Sequence, residues 1–105
     1  MSLVGIYKND HSGGVLEITT VNDIIGQGTG NFTMGDACIS ITLDYDLMSE
    51  GGTTILFYGA ENNPNHYTGA SGYIGDNEAI IGIQFAGGIT LEKVIMPFYG
   101  FFRKQ

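Results

Sequence analysis

The stretch Ile39-Ser40-Ile41-Thr42-Leu43-Asp44-Tyr45-Asp46-Leu47 alternates without a break, apolar at every odd position and polar at every even one. Side chains of an extended chain point alternately to its two faces, so this period of two describes a half-buried strand. One face meets a core. The other carries Ser40, Thr42, Asp44 and Asp46.

The same signature recurs outward from this stretch. Val15 to Val21 is rich in β-branched residues, which suit a pleated surface. Thr53 to Tyr58 and Ile80 to Phe85 read as further strands, and Val4 to Tyr7, Gly28 to Met34, Tyr67 to Ile74 and Val94 to Phe102 bring the number to about eight. Turn-forming residues separate them: Asn9 to Gly14, Asn22-Asp23, Met34-Gly35-Asp36, Ser49 to Gly52, Glu61 to Asn65, Gly75-Asp76-Asn77 and Ala86-Gly87-Gly88. No segment shows an apolar stripe at helical spacing. Thr90 to Ile95 is long enough for one helical turn, but Gly87-Gly88 before it and Pro97 after it favour extended chain. The expected fold is all-β: eight sequential strands hide their sheet edges best by closing into an up-and-down antiparallel barrel, a two-sheet sandwich being the alternative.

Composition bounds the rest. A length of 105 residues predicts one domain, residues 1–105. Apolar residues make up 43% and charged residues 14%, which supplies a core and excludes a disordered chain. Four basic against eleven acidic residues give a net charge of −7, too few cations for a phosphate-binding face, so nucleic acid is excluded as a partner and an anionic membrane is disfavoured. No signal peptide or apolar run of transmembrane length stands out, so a soluble chain is expected; the compartment stays unassigned. The lone Cys38 cannot form an internal disulfide and, within Ala37-Cys38-Ile39, reads as a small core or interface hydrophobe. Val94 to Phe102 is apolar on both faces, although a barrel strand needs only one for its interior. That predicts a homo-oligomer with the Ile80–Phe85 and Val94–Phe102 strands in its interface.

Several short motifs are similar to those of the avidin and streptavidin family. Gly5-Ile6-Tyr7-Lys8-Asn9 resembles that family's opening Gly-x-Trp-x-Asn, and Thr29-Gly30-Asn31-Phe32 its Thr-Gly-Thr-Tyr strand. Ala70-Ser71-Gly72-Tyr73 resembles Trp-Ser-Gly-x-Tyr, Ile83-Gln84-Phe85 resembles Thr-Gln-Trp, and Gly100-Phe101-Phe102 falls on the closing Gly-x-Asp. The matches are short and collinear over nearly the whole chain. The resemblance implies an eight-stranded, oligomeric, non-enzymatic barrel that binds a small ligand in its mouth or interior, lined by Asn9, Ser12, Phe32, Ala70 and Phe85. The departures bear on the ligand. Phe32 lacks a tyrosine hydroxyl, Ala70 and Phe85 stand where the family has Trp, Ile83 replaces Thr, and Phe101 or Phe102 stands at the closing Asp. Each lost buried polar partner costs about 1–3 kcal/mol, so tight biotin binding is not expected. An apolar or planar ligand is, with no cofactor.

Two polar groupings complete the reading. Asp44 and Asp46, with Glu50 near in sequence, have the oxygen ligands of a divalent cation, though a solvated strand face is the simpler account. His11 and His66, with Asp10, Asp36, Glu61 and Asn63, fall in segments that an up-and-down barrel collects at one rim, where a two-His, one-carboxylate metal or catalytic site is the alternative. Neither grouping has the full ligand set of a recognised motif, so no metal is expected. A nucleophile elbow is absent, since Gly69-Ala70-Ser71-Gly72 has the wrong spacing, and no helix follows Gly26-Gln27-Gly28-Thr29-Gly30 to cradle a phosphate. A protein-interaction or inhibitor-type module with a filled interior is the other alternative.

Overall fold

A computed structural model describes residues 2–47, 51–62 and 65–105. Eight strands follow in order: β1 (Gly5–Lys8), β2 (Val15–Asn22), β3 (Gln27–Met34), β4 (Ala37–Leu47), β5 (Thr53–Asn62), β6 (Asn65–Ile74), β7 (Gly82–Leu91) and β8 (Val94–Lys104). Each pairs antiparallel with the next, and β8 returns to β1, closing an up-and-down barrel. No helix occurs among the described residues.

The alternation in β4 does what its period requires. Ile39, Ile41, Leu43 and Tyr45 are buried, while Ser40 and Asp46 lie on the outside. The same parity in every strand fills the barrel with side chains. At its centre the rings of Phe32, Phe57, Phe85, Phe98 and Phe102 form one network, with centroids 5.0–6.4 Å apart. Those separations are the contact distances of aromatic pairs, so the rings occupy the lumen rather than line an open one.

The closing seam is short. β1 and β8 share only the pairs Tyr7↔Lys104 and Lys8↔Arg103. The remainder of β8, from Val94 to Phe102, has β7 as its one strand neighbour among the described residues. An open strand edge invites a foreign strand, and two features blunt this one. Pro97 presents no N–H, and the Asn9 amide donates to the Phe101 carbonyl at 3.1 Å.

Three expectations need correction. Ala86-Gly87-Gly88 is not a turn: β7 runs through it to Leu91, and the chain reverses at Glu92-Lys93. The glycines are read by packing instead. A Cβ on Gly87 would collide with the Gly69 carbonyl and with Ala70 of β6, so glycine there lets two strands approach. Ile80 and Ile81 precede β7 rather than begin it. Cys38 is exposed and is no part of the core.

Candidate binding groove on the outer face

The residues expected to line a ligand site belong to the packed interior or its closure. Phe32 and Phe85 are members of the ring network, and Ala70, the strand partner of Phe57, is buried beside it. Asn9 and Ser12 are tied to each other. The Asn9 carboxamide oxygen accepts from the backbone N–H of His11 at 3.1 Å, from that of Ser12 at 2.8 Å, and from the Ser12 hydroxyl at 2.9 Å. The Ser12 oxygen in turn accepts from the Gly14 N–H at 3.1 Å. With its amide on Phe101, Asn9 has donor and acceptor both engaged. Gly14 packs between Ser12 and the edge of the Phe32 ring, so the turn lids the ring network.

The rim histidines do not assemble a metal-binding group among the described residues. His66 lies in β6 rather than in a turn and is buried. Its Nδ1 is 3.5 Å from a Glu61 carboxylate oxygen and makes no hydrogen bond among the described residues. Asp10 is exposed and pairs with Arg103 at 3.3 Å. No three His, Cys, Asp or Glu residues gather among the described residues in a way that would hold a metal. Asn63 and Glu50 lie outside the described residues.

The outer surface holds a depression of about 1060 Å³, and the strand registers explain its shape. Two rows of outward residues cross the sheet side by side. One runs Asp44, Leu56, Ser71, Ala86, Tyr99; the other runs Asp46, Thr54, Tyr73, Gln84, Phe101. Ser71 and Ala86 are small and form a floor, with Leu56 on one side, Tyr99 on the other and the Tyr73–Gln84 pair as a wall. The next pair on that face, beside the depression, is Gly69↔Gly88. Neither glycine is demanded by the fold. A Cβ on Gly69 would meet nothing nearer than the Phe57 carbonyl at 3.8 Å, and one on Gly88 nothing nearer than the Met96 carbonyl at 3.5 Å. Both are ordinary contacts, and neither residue has a positive φ. Glycine weakens a strand interior, and no close neighbour requires it at either of these two directly paired positions.

Beneath the acidic end of this groove lies Tyr45. Desolvation, followed by the hydrogen bond and the negative charge of Asp23, pushes its phenol up to about 12. Its hydroxyl donates to an Asp23 carboxylate oxygen at 2.5 Å, which ties β4 to the β2–β3 turn. Period-two reading finds outward polar positions but not this site. The signal present in the sequence is the run of small residues at 69–72 and 86–88, whose pairing only the register reveals. Comparison with protein-family models, with curated proteins and with solved structures found no match.

Proposed function

We propose that this barrel is a non-enzymatic binding protein that takes a small apolar or planar ligand in the outer groove rather than in the lumen. The observation that carries the reading is the low floor of Ser71 and Ala86 between Leu56 and Tyr99, with the sterically unforced pair Gly69↔Gly88 next to it on the same face. The groove has the size of small-molecule pockets, which run to about 1,000 Å³. Its lining is mainly apolar, with Thr54, Ser71 and Gln84 supplying a few hydrogen-bonding groups.

Fluorescence titration with N-phenyl-1-naphthylamine, an uncharged planar fluorophore, tests it. Saturable one-to-one binding is expected, lost in Ser71→Trp and retained in Phe32→Leu. Binding that survives Ser71→Trp and disappears in Phe32→Leu puts the ligand in the lumen and overturns the groove.

A second reading, self-association, is favoured by the apolar outside of the same half of the barrel. Tyr99 is 79% exposed, Ile95 76% and Ile81 71%. A second copy seated on these residues is the homo-oligomer expected from the Ile80–Phe85 and Val94–Phe102 strands.

A further inference from the structure

The geometry points to a planar aromatic cation as the groove's ligand. This inference rests on the groove being a binding site and adds the class of molecule that fits it.

The argument is one of charge and shape. Asp44 and Asp46 stand at one end of the groove, two residues apart on β4 and therefore on the same face. No lysine, arginine or histidine lines the groove, and neither carboxylate has an ion-pair partner among the described residues. The chain as a whole carries −7, so no distant positive field offsets them. At the opposite end Tyr99 presents its ring to solvent, and Tyr73, 57% exposed, stands beside the floor. Phenol rings attract cations through their faces and stack on flat π-systems. Between the two ends the surface is Leu56, Ser71 and Ala86, low and mostly apolar.

Asp44 and Tyr99 are separated by four strand intervals, from β4 to β8. At ~4.8 Å each this is about 19 Å measured along the barrel wall, which curves from one to the other. A flat molecule of two or three linked rings covers the middle of that path, over Leu56, Ser71 and Ala86. Its positive charge lies toward the carboxylates, and its far ring meets Tyr99. A neutral ligand would leave the carboxylates unanswered, and an anionic one would be repelled by them.

Thioflavin T, a planar aromatic cation, and its demethylated uncharged benzothiazole analogue are the probes, titrated against the full chain at low and moderate salt. The cation is expected to bind roughly tenfold tighter than the uncharged analogue. Added salt is expected to shrink the difference, because the carboxylates are at the surface. In the Asp44→Asn, Asp46→Asn double variant most of the preference is expected to disappear, the cation falling toward the wild-type affinity of the uncharged probe. Circular dichroism confirms that this variant folds, and both substitutions replace outward side chains. Equal affinity of both probes for the wild type, with both lost in Ser71→Trp, overturns the cation preference and leaves the groove as a site. Failure of both probes to bind the wild type overturns the groove as well.

Discussion

Tyr7 and Tyr45 occupy inward positions of β1 and β4, and both phenols are pushed up to about 12. For Tyr7 the cause is burial: the side chain is fully covered, and its hydroxyl donates to the Leu3 carbonyl at 2.7 Å. For Tyr45 burial leads and Asp23 adds to it. In the unfolded chain both titrate near 10, so above that pH the unfolded state holds fewer protons than the folded one. Stability is therefore level with respect to these groups below pH ~10 and falls as pH rises from about 10 to about 12. Absorbance titration at 295 nm is expected to show two of the six tyrosines ionising only near pH 12, together with loss of the barrel. Their ionisation near pH 10 with the fold intact would contradict this. Alternation misses the inward place of Tyr7, because Val4 and Ile6 are the apolar pair at period two and both are exposed. The inward place of Tyr45 is legible from alternation. The partner of Asn9 is not: it closes a turn locally, but its amide reaches Phe101, 92 residues away. No local pattern records a contact of that range.

At the scale of the element, β7 separates two meanings of glycine. Ala86-Gly87-Gly88 reads as a turn because glycine is the commonest turn residue. In the barrel Gly87 lets two strands approach and Gly88 lies on the outer face with no close neighbour, while the chain reverses at Glu92, which takes φ 60° without being glycine. A side chain in the left-handed region costs about 1 kcal/mol. Glu92→Gly is therefore expected to raise the unfolding free energy by about 0.5–1 kcal/mol in urea, with an unchanged m-value. A loss of stability would mean that the Glu92 side chain holds the hairpin in another way. The strand whose outward face is most polar, β4, is readable from Ile39 to its end at Leu47, missing only Ala37 and Cys38. β7 was readable only at its start, since Gly-rich alternation carries no apolar period.

For the whole molecule the question is what covers β5 to β8. Leu56, Tyr58, Tyr67, Tyr73, Ile95, Tyr99 and Phe101 are all large, apolar in the main and exposed. At roughly 100 Å² each, from side chains that bury about 150–250 Å² in full, they present on the order of 700 Å². That sum, spread over β5, β6 and β8, approaches the ~800 Å² per partner of a standard interface. If a second copy covers this face, light scattering gives at least twice 11.3 kDa and the groove is occluded. Tyr99→Lys is expected to return the monomer without loss of fold, because the side chain faces outward. A monomer at every concentration would leave the patch to the ligand groove alone.

What the amino-acid sequence determined by itself is the architecture: eight short alternating strands, turns between them, and enough inward phenylalanine for a core. Alternation is a local property, and closure follows from the need to satisfy sheet edges. Tertiary structure decided which of two uses each polar or small residue serves. Asn9 and Ser12 close a turn, Phe32 and Phe85 fill the lumen, and Ser71, Ala86, Gly69 and Gly88 become neighbours on the outer surface. The physical reason is register. A strand states which of its residues share a face, but only its pairing with the next strand states which residues of the two stand side by side.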